Sequence, residues 1–332
     1  MAARIKHYFR RENEILDQAM VPHTGHQQQF RVPRPQPQQE AIDRLLTQVS
    51  VTKLKAYVAC PYRFYLEYLE NLSAPQIDEG ELGPLTFGNL LHDVLCAFGA
   101  SSELKTSTDP ARIEAWLHHQ LDDEAAARFG DLAHAAVMIQ LAFARDRLSD
   151  FARWQAASTA EGWHIVETER SLTLQMDDTA MLKGRIDRID RHETYGLRII
   201  DYKTGDMPAD PRQHRIGSGA AARWVDFQLP CYREMVVTAE ITDASESIAV
   251  GYVVLPRERG AVDFIAAPWR PTDFEDAMAE VTAVIEKIRK GIFWPPAPTK
   301  SPWDPYARLC GEGIFDRQTL LDEPPASEAA TP

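Results

Sequence analysis

Apolar and polar positions divide this chain into a helical first half and a second half in which strands and helices mix. Between 131 and 157, Leu132, Ala136, Ile139 and Phe143 recur at spacings of four, three and four, which predicts a helix with these residues on one face. Helices are also predicted over 87 to 99 and 110 to 128. Further upstream, Thr52 is placed to cap a short helix through Val58, and Pro61 suits the first position of another running towards Leu69. Past 160 the period falls to two. Strands are predicted at about 163 to 176, 181 to 191 and 197 to 203, and His192 to Gly196 supply the turn that reverses the chain between the last two. A helix over about 224 to 239 follows, then a strand at 247 to 255 in which Ile248, Val250, Tyr252 and Val254 alternate, and a further strand at 261 to 267. In the final helix, 272 to 290, Phe274, Met278, Val281, Ile285 and Ile288 form a stripe that faces a core. Helices, then a strand meander, then a helix and more strands predict an α/β sandwich with a mixed central sheet.

The ends differ in character. Residues 1 to 48 are expected to form an N-terminal arm, since Gln27 to Gln39 (QQQFRVPRPQPQQ) is a Gln- and Pro-rich linker that cannot bury a core. Residues 317 to 332, closing on DEPPASEAATP, are expected to be a disordered acidic tail. The span 49 to 316 is the expected folded domain. The 332 residues are 44% hydrophobic and 26% charged, ordinary for a globular chain. No apolar run has the length of a membrane span and the N-terminus lacks the apolar core of a secretory signal, so no membrane partner and a cytoplasmic location are expected. Cys60, Cys96, Cys231 and Cys310 are scattered, which suits a reducing compartment.

The candidate chemistry sits in Gly184 to Gly205, GRIDRIDRHETYGLRIIDYKTG. Asp201 and Lys203, two apart on a strand, project from one face, and a hairpin brings Asp187 of the preceding strand beside them. Two carboxylates and an ammonium then share one cluster, suited to a hard divalent cation and to phosphodiester hydrolysis. Lys203 has the role of orienting the attacking water and offsetting charge on the phosphate.

This cluster and four further blocks carry a resemblance. VTKLKAYVACPYRFYLEYL (51 to 69), FGNLLHDVL (87 to 95), GRIDRID (184 to 190), IIDYKTG (199 to 205) and QLPCY (228 to 232) stand in the order found in the PD-(D/E)XK nuclease superfamily. Within it the chain resembles the RecB-like branch, and above all the C-terminal nuclease domain of AddB-type helicase–nuclease subunits. The resemblance covers roughly residues 50 to 315. It implies a restriction-endonuclease-like core with a helical insertion ahead of the catalytic hairpin.

Function and site residues follow from the resemblance as expectations. The activity would be that of a metal-dependent deoxyribonuclease, an exonuclease on single-stranded or unwinding DNA ends in recombinational repair. Asp187 and Asp201 would bind Mg2+ or Mn2+, with His92 as an extra ligand from an upstream helix; its imidazole favours Mn2+. Asp93 faces about 100° away on that helix and is the weaker candidate. Gln228 and Tyr232, four apart on a helix, match a Q-x-x-x-Y motif that supports the site and contacts DNA. Glu169 falls where relatives often carry an acid, with Glu167 on the same strand face as its rival, and Lys183 and Arg185 flank Gly184 within reach of phosphate.

Two departures shape the picture. Many relatives hold an iron–sulfur cluster through one Cys in the CPYRFY block and three near the C-terminus; here Cys60 and Cys310 alone stand in those regions, so no cluster is expected. The net charge of −13, from 36 Lys and Arg against 49 Asp and Glu, opposes independent binding to nucleic acid. Either Arg212, His214, Arg215 and Arg223 form a local basic groove, making Arg212, Arg215 and Arg223 candidate DNA contacts, or a helicase partner supplies the affinity. No phosphate loop ending in Gly-Lys-Ser or Gly-Lys-Thr is present, so that helicase would lie elsewhere. Two alternatives remain. One is a DNA-end-binding scaffold whose site has decayed, against which the intact Asp187, Asp201 and Lys203 stand. The other is a nuclease that trims spacers in CRISPR adaptation, against which the missing cysteines and the long arm weigh.

Overall fold

The computed structural model describes residues 32, 34–73, 82–130, 135–205, 209–217, 222–242, 246–297, 304–307, 309 and 310. The chain divides into two units: Pro35–Pro305, which holds every element named below, and Met1–Arg34 with Tyr306–Pro332. Residues 27–31 and 33 of the expected linker, Gln27 to Gln39, and all of the expected tail, 317 to 332, lie outside the described residues, as does Leu132. The expected arm extended to residue 48, but Gln39–Leu46 is a helix, α1, with Ile42 and Leu46 buried in the larger unit.

Strand β1 (Val49–Ser50) leads directly into α2 (Val51–Ala59), and α3 (Pro61–Tyr68) follows after Cys60. Thr52 is not the cap expected of it: Ser50 holds that position, and Thr52 lies inside the helix. Three longer helices come next, α4 (Pro84–Ala100), α5 (Pro110–Phe129) and α6 (Ala135–Ala160). Asp109 starts α5 by accepting the N–H groups of Ala111 and Arg112, with Pro110 in the first turn where no N–H is needed.

The stripe expected to bury α6 is on the wrong side. Ile139 is 58% exposed and Phe143 37%, and the core is reached by Val137, Leu141, Ala144, Leu148 and Phe151. Both stripes have helical spacing. The second runs unbroken to Phe151 and lies over Leu90, Val94 and Phe98 of α4 and Ile113 and Leu117 of α5, so it buries more apolar surface.

The strands are β2 (His164–Gln175), β3 (Met181–His192), β4 (Gly196–Lys203), β5 (Arg215–Ile216), β6 (Arg223–Trp224), β7 (Ile248–Val254) and β8 (Asp263–Ala266). Helix α7 (Gln228–Thr238) precedes β7 and α8 (Pro271–Arg289) follows β8. α7 starts later than the predicted 224 because Arg223 and Trp224 pair with Ile216 and Arg215 as a separate ribbon. The main sheet runs β1-β3-β4-β7-β8 with β2 on β3, and mixes parallel β4–β7 with antiparallel β3–β4 and β7–β8. This is a restriction-endonuclease-like mixed α/β core. No helix among the described residues is long and apolar enough to cross a membrane.

Helices α4 to α6 cover the sheet face that carries Ile200, Tyr202 and Val253. The same face holds a buried charge network. Arg188, fully buried, donates to both oxygens of the fully buried Asp190 at 2.5 and 2.8 Å, and Arg198 Nε reaches Asp190 Oδ2 at 2.8 Å. Gln155 and Ser158 of α6 and the Tyr202 hydroxyl accept the remaining guanidinium bonds. Gly196, at φ 78°, makes the β3–β4 turn where a Cβ would lie 2.2 Å from the Ser247 carbonyl oxygen.

Candidate active site

Strand register places the acids in one row. Thr168 pairs with Arg188 and Arg170 with Ile186, so Glu169 of β2 stands opposite Asp187 of β3. The β3–β4 ladder runs to Arg188 and Ile200, and one step further Asp187 faces Asp201. Residues opposite each other in a sheet project from one face, so Glu169, Asp187 and Asp201 lie side by side across three strands. Because the ladder ends there, the Tyr202 N–H is left free and donates to Asp187 Oδ2 at 2.8 Å. His92 enters from α4 with Nδ1 3.4 Å from the same oxygen.

Asp187 is buried, and that burial, reinforced by the charge of Asp201, raises its carboxyl well above the usual range. Burial also raises Glu169, although Arg185 Nε at 2.7 Å from its carboxylate opposes the shift. The His92 imidazole is pushed down by burial, against the nearby carboxylate of Asp201, so its neutral, ligating form is favoured. Glu169 sits at φ 50°, a strained backbone for a residue with a side chain, and such strain collects at functional sites.

Asp201 is bound on its other side. Its Oδ1 accepts Gln228 Nε2 at 2.7 Å, and Lys203 Nζ lies 2.6 Å from Oδ2, at an angle that leaves this buried oxygen without a hydrogen bond. Gln228 Nε2 also reaches the Tyr232 hydroxyl at 3.1 Å, and Gln228 Oε1 accepts from Lys203 at 3.4 Å. Burial raises the Tyr232 phenol too, so it stays protonated. Gly184 allows this approach: a Cβ there would lie 2.8 Å from Tyr232 Cε1 and 3.0 Å from Met235 Sδ. Asp187, Asp201, His92 and Lys203 line a cavity of about 1130 Å³, together with Thr52, Asn89, Lys183 and Arg185.

A divalent cation fits these residues. Ligand atoms of His92, Glu169 and Asp187 lie within 4.8 Å of one another, and buried Asp201 Oδ2 lacks a hydrogen bond next to them. The expected set was His92, Asp187 and Asp201; the geometry adds Glu169, while the Asp201 carboxylate is engaged by Lys203 and Gln228. Counting outward from the Asp177-Asp178-Thr179 turn would have matched Glu169, rather than Glu167, with Asp187. Asp93 also lines the cavity, but its carboxylate pairs with Arg128.

His214 is buried at 2% exposure and is not a DNA contact. Arg212 pairs with Asp210 at 3.2 Å and Arg215 with Asp273 at 2.5 Å; Arg223 is exposed, and none of the three lines the cavity.

Residues 48–311 match the model of the PD-(D/E)XK nuclease superfamily. The chain belongs to that superfamily. It is similar to an ATP-dependent helicase/deoxyribonuclease subunit of Clostridium perfringens (strain SM101 / Type A), at 27% identity over 49% of this chain and 16% of that one. The protein of the same name from Clostridium acetobutylicum is 23% identical over 62% of this chain and 19% of its own length. For that of Carboxydothermus hydrogenoformans the figures are 30%, 48% and 16%. The chain thus spans less than a fifth of the length of these curated relatives. A solved structure from Eubacterium rectale, provisionally named an exonuclease, covers 84% of this chain and all of its own at 13% identity and a TM-score of 0.45, a likeness too loose to bear on chemistry.

Proposed function

We propose that this chain is a metal-dependent DNA nuclease, an exonuclease on single-stranded or unwinding ends in recombinational repair. The observation that carries the reading is the row Glu169, Asp187, Asp201 with His92 at its side and Lys203 beside Asp201, at a cavity of about 1130 Å³. Asp187, Asp201 and His92 would hold Mg2+ or Mn2+, with Glu169 as a further oxygen donor. Such a cation, when bound, neutralises the scissile phosphate and lowers the pKa of its water. Asp187 is fixed for this role by the Tyr202 N–H, and Asp201 by Gln228. Lys203 orients the attacking water and balances charge on the phosphate, while Gln228 and Tyr232 hold Asp201 and Lys203 in place.

A helicase partner fits the charge balance. With a net charge of −13, and with Arg212 and Arg215 paired with carboxylates, DNA affinity of the isolated chain should be weak and fall with log salt at roughly −0.9 per phosphate contact on duplex. The relatives named as helicase/deoxyribonuclease subunits support delivery of the strand by such a partner. Cleavage of labelled single-stranded and fork DNA with Mg2+ or Mn2+ tests the proposal. Asp187→Ala, Asp201→Ala and Lys203→Ala should each remove most cleavage while circular dichroism stays native. Near-wild-type cleavage by the Asp201 variant would take these residues out of the mechanism.

A further inference from the structure

A further layer of side chains stands behind Lys203. Tyr252 of β7 is in register with Asp201, extending the row of acids by one strand, and Lys203 Nζ lies 4.7 Å from the centre of its ring. The Tyr252 hydroxyl is hydrogen-bonded to His214 Nε2. His214 Nδ1 is 2.9 Å from the Asp226 carbonyl oxygen. A carbonyl can only accept, so Nδ1 carries the proton and Nε2 is left to accept from the tyrosine O–H. Trp269 packs edge-on against the buried imidazole at 5.2 Å and keeps the ring from turning.

Asp226 links this layer to the other support of Lys203. Its Oδ1 accepts the Gln228 N–H at 3.0 Å, at the start of α7, and Oδ2 pairs with Lys55 at 2.8 Å. Its carboxylate therefore seats Gln228, and its carbonyl seats His214 and through it Tyr252. Gln228, Tyr252 and Asp201 are three groups that touch the Lys203 ammonium.

We propose that Tyr252 is a positioning residue for Lys203, with its ring face held against the ammonium by the buried His214 and Asp226. A lysine carries its charge on a flexible four-carbon stem, so an ammonium that must address one water needs its other orientations closed off. The ring face attracts the cation. Donation of the phenol proton to a neutral imidazole adds electron density to that ring. His214 and Asp226 fix the plane in which the face lies.

The proposal rests on the nuclease reading for its catalytic consequence, and the test separates the two. In protein labelled with 13C at the lysine ε-methylenes, the signal that Lys203→Arg removes should show an upfield ring-current shift. That shift should shrink in both Tyr252→Phe and His214→Leu, which lose the same hydrogen bond, and vanish in Tyr252→Leu. In cleavage at saturating Mg2+, Tyr252→Leu should lower kcat roughly tenfold to a hundredfold, with KM and Mg2+ half-saturation changed by less than about twofold, and Tyr252→Phe should retain most activity. A wild-type Lys203 signal without the shift, or a folded Tyr252→Leu protein with undiminished kcat, overturns the proposal. So does an equal loss in the Phe and Leu variants accompanied by weaker Mg2+ binding, the mark of a merely structural residue. If the wild-type protein cleaves nothing, the nuclease reading falls, and the ring-current shift still decides whether Tyr252 places Lys203.

Discussion

Asp190→Ala should be among the most destabilising single substitutions in this chain. Asp190 accepts three charge-assisted hydrogen bonds from two guanidinium groups at 2.5, 2.8 and 2.8 Å, and it is completely buried, as is Arg188. Removing it leaves two cations in the interior. Arg188 would retain Gln155 and the Tyr202 hydroxyl, and Arg198 would retain Ser158 and the face of Trp163 at 4.2 Å, but no anion would remain for either. Breaking a buried ion pair from one side costs about 3–5 kcal/mol. The upper end applies here, since two charges depend on one carboxylate. For a unit of this size each kcal/mol lowers Tm by about 2–4 °C, so the melting point should fall by roughly 10–20 °C. Urea titration followed by circular dichroism measures the free energy directly. The triple variant Arg188→Met, Asp190→Leu, Arg198→Met should be more stable than Asp190→Ala alone, because no charge is then left unpaired. A loss under about 1 kcal/mol for Asp190→Ala, or a triple variant less stable than the single one, would show that Arg188 and Arg198 do not depend on this carboxylate.

Gly184→Ala should lower cleavage roughly tenfold or more while Mg2+ still binds, because the new methyl drives Tyr232 and Met235 back and carries Gln228 away from Asp201; full activity would show that α7 yields without consequence. Asp273 is held below the usual carboxylate range first by the Arg270 N–H and then, against some burial, by Arg215, so it stabilises α8 above its unfolded pKa and loses that effect as pH falls through its folded one. Asp273→Ala should therefore cost about 0.5–2 kcal/mol at pH 7, with the difference from wild type closing in acid, which melting curves across pH will show. Protein purified without oxygen should be colourless and free of iron; absorbance at the blue end of the visible spectrum would reveal cluster ligands beyond Cys60 and Cys310.

The hairpin that carries Asp187, Asp201 and Lys203 was legible because two rules fix it together: side chains alternate, and a short turn containing Gly196 sets the register. Glu169 needed a second turn to be counted as well. The α6 stripe failed for a different reason. A helix that is partly apolar on two sides offers two valid stripes, and only the partners on α4 and α5 choose between Ile139 and Leu141. Arg188, Asp190 and Arg198 read as surface charge in a sequence, yet both faces of β4 are covered, and a strand in that position buries whatever alternates along it. His214 gave no signal. Its burial depends on Asp226, Tyr252 and Trp269, which meet it only through the fold.

The two charged sets on β3 and β4 are complementary consequences of one alternation. Asp187, Asp201 and Lys203 occupy odd positions and face the cavity, whereas Arg188, Asp190 and Arg198 occupy even ones and face α6. A slip of one residue between these strands and their neighbours would exchange the sets. Unpaired carboxylates would then enter the core beside Leu90 and Phe98, and a salt-bridged triad would be exposed in the cavity in place of the proposed metal ligands. Hydrophobic burial alone guards poorly against such a slip, because Ile186, Ile189, Ile199 and Ile200 are buried on both faces and an isoleucine fits either. The triad discriminates where the isoleucines cannot: in register the two guanidinium groups beside Gln155 and Ser158 of α6 are neutralised by Asp190, whereas a slip would bury carboxylates there with no guanidinium to pair them. On this argument the buried charges contribute less to net stability than to holding Asp187 opposite Asp201, and the geometry of the site depends on residues that never touch its substrate.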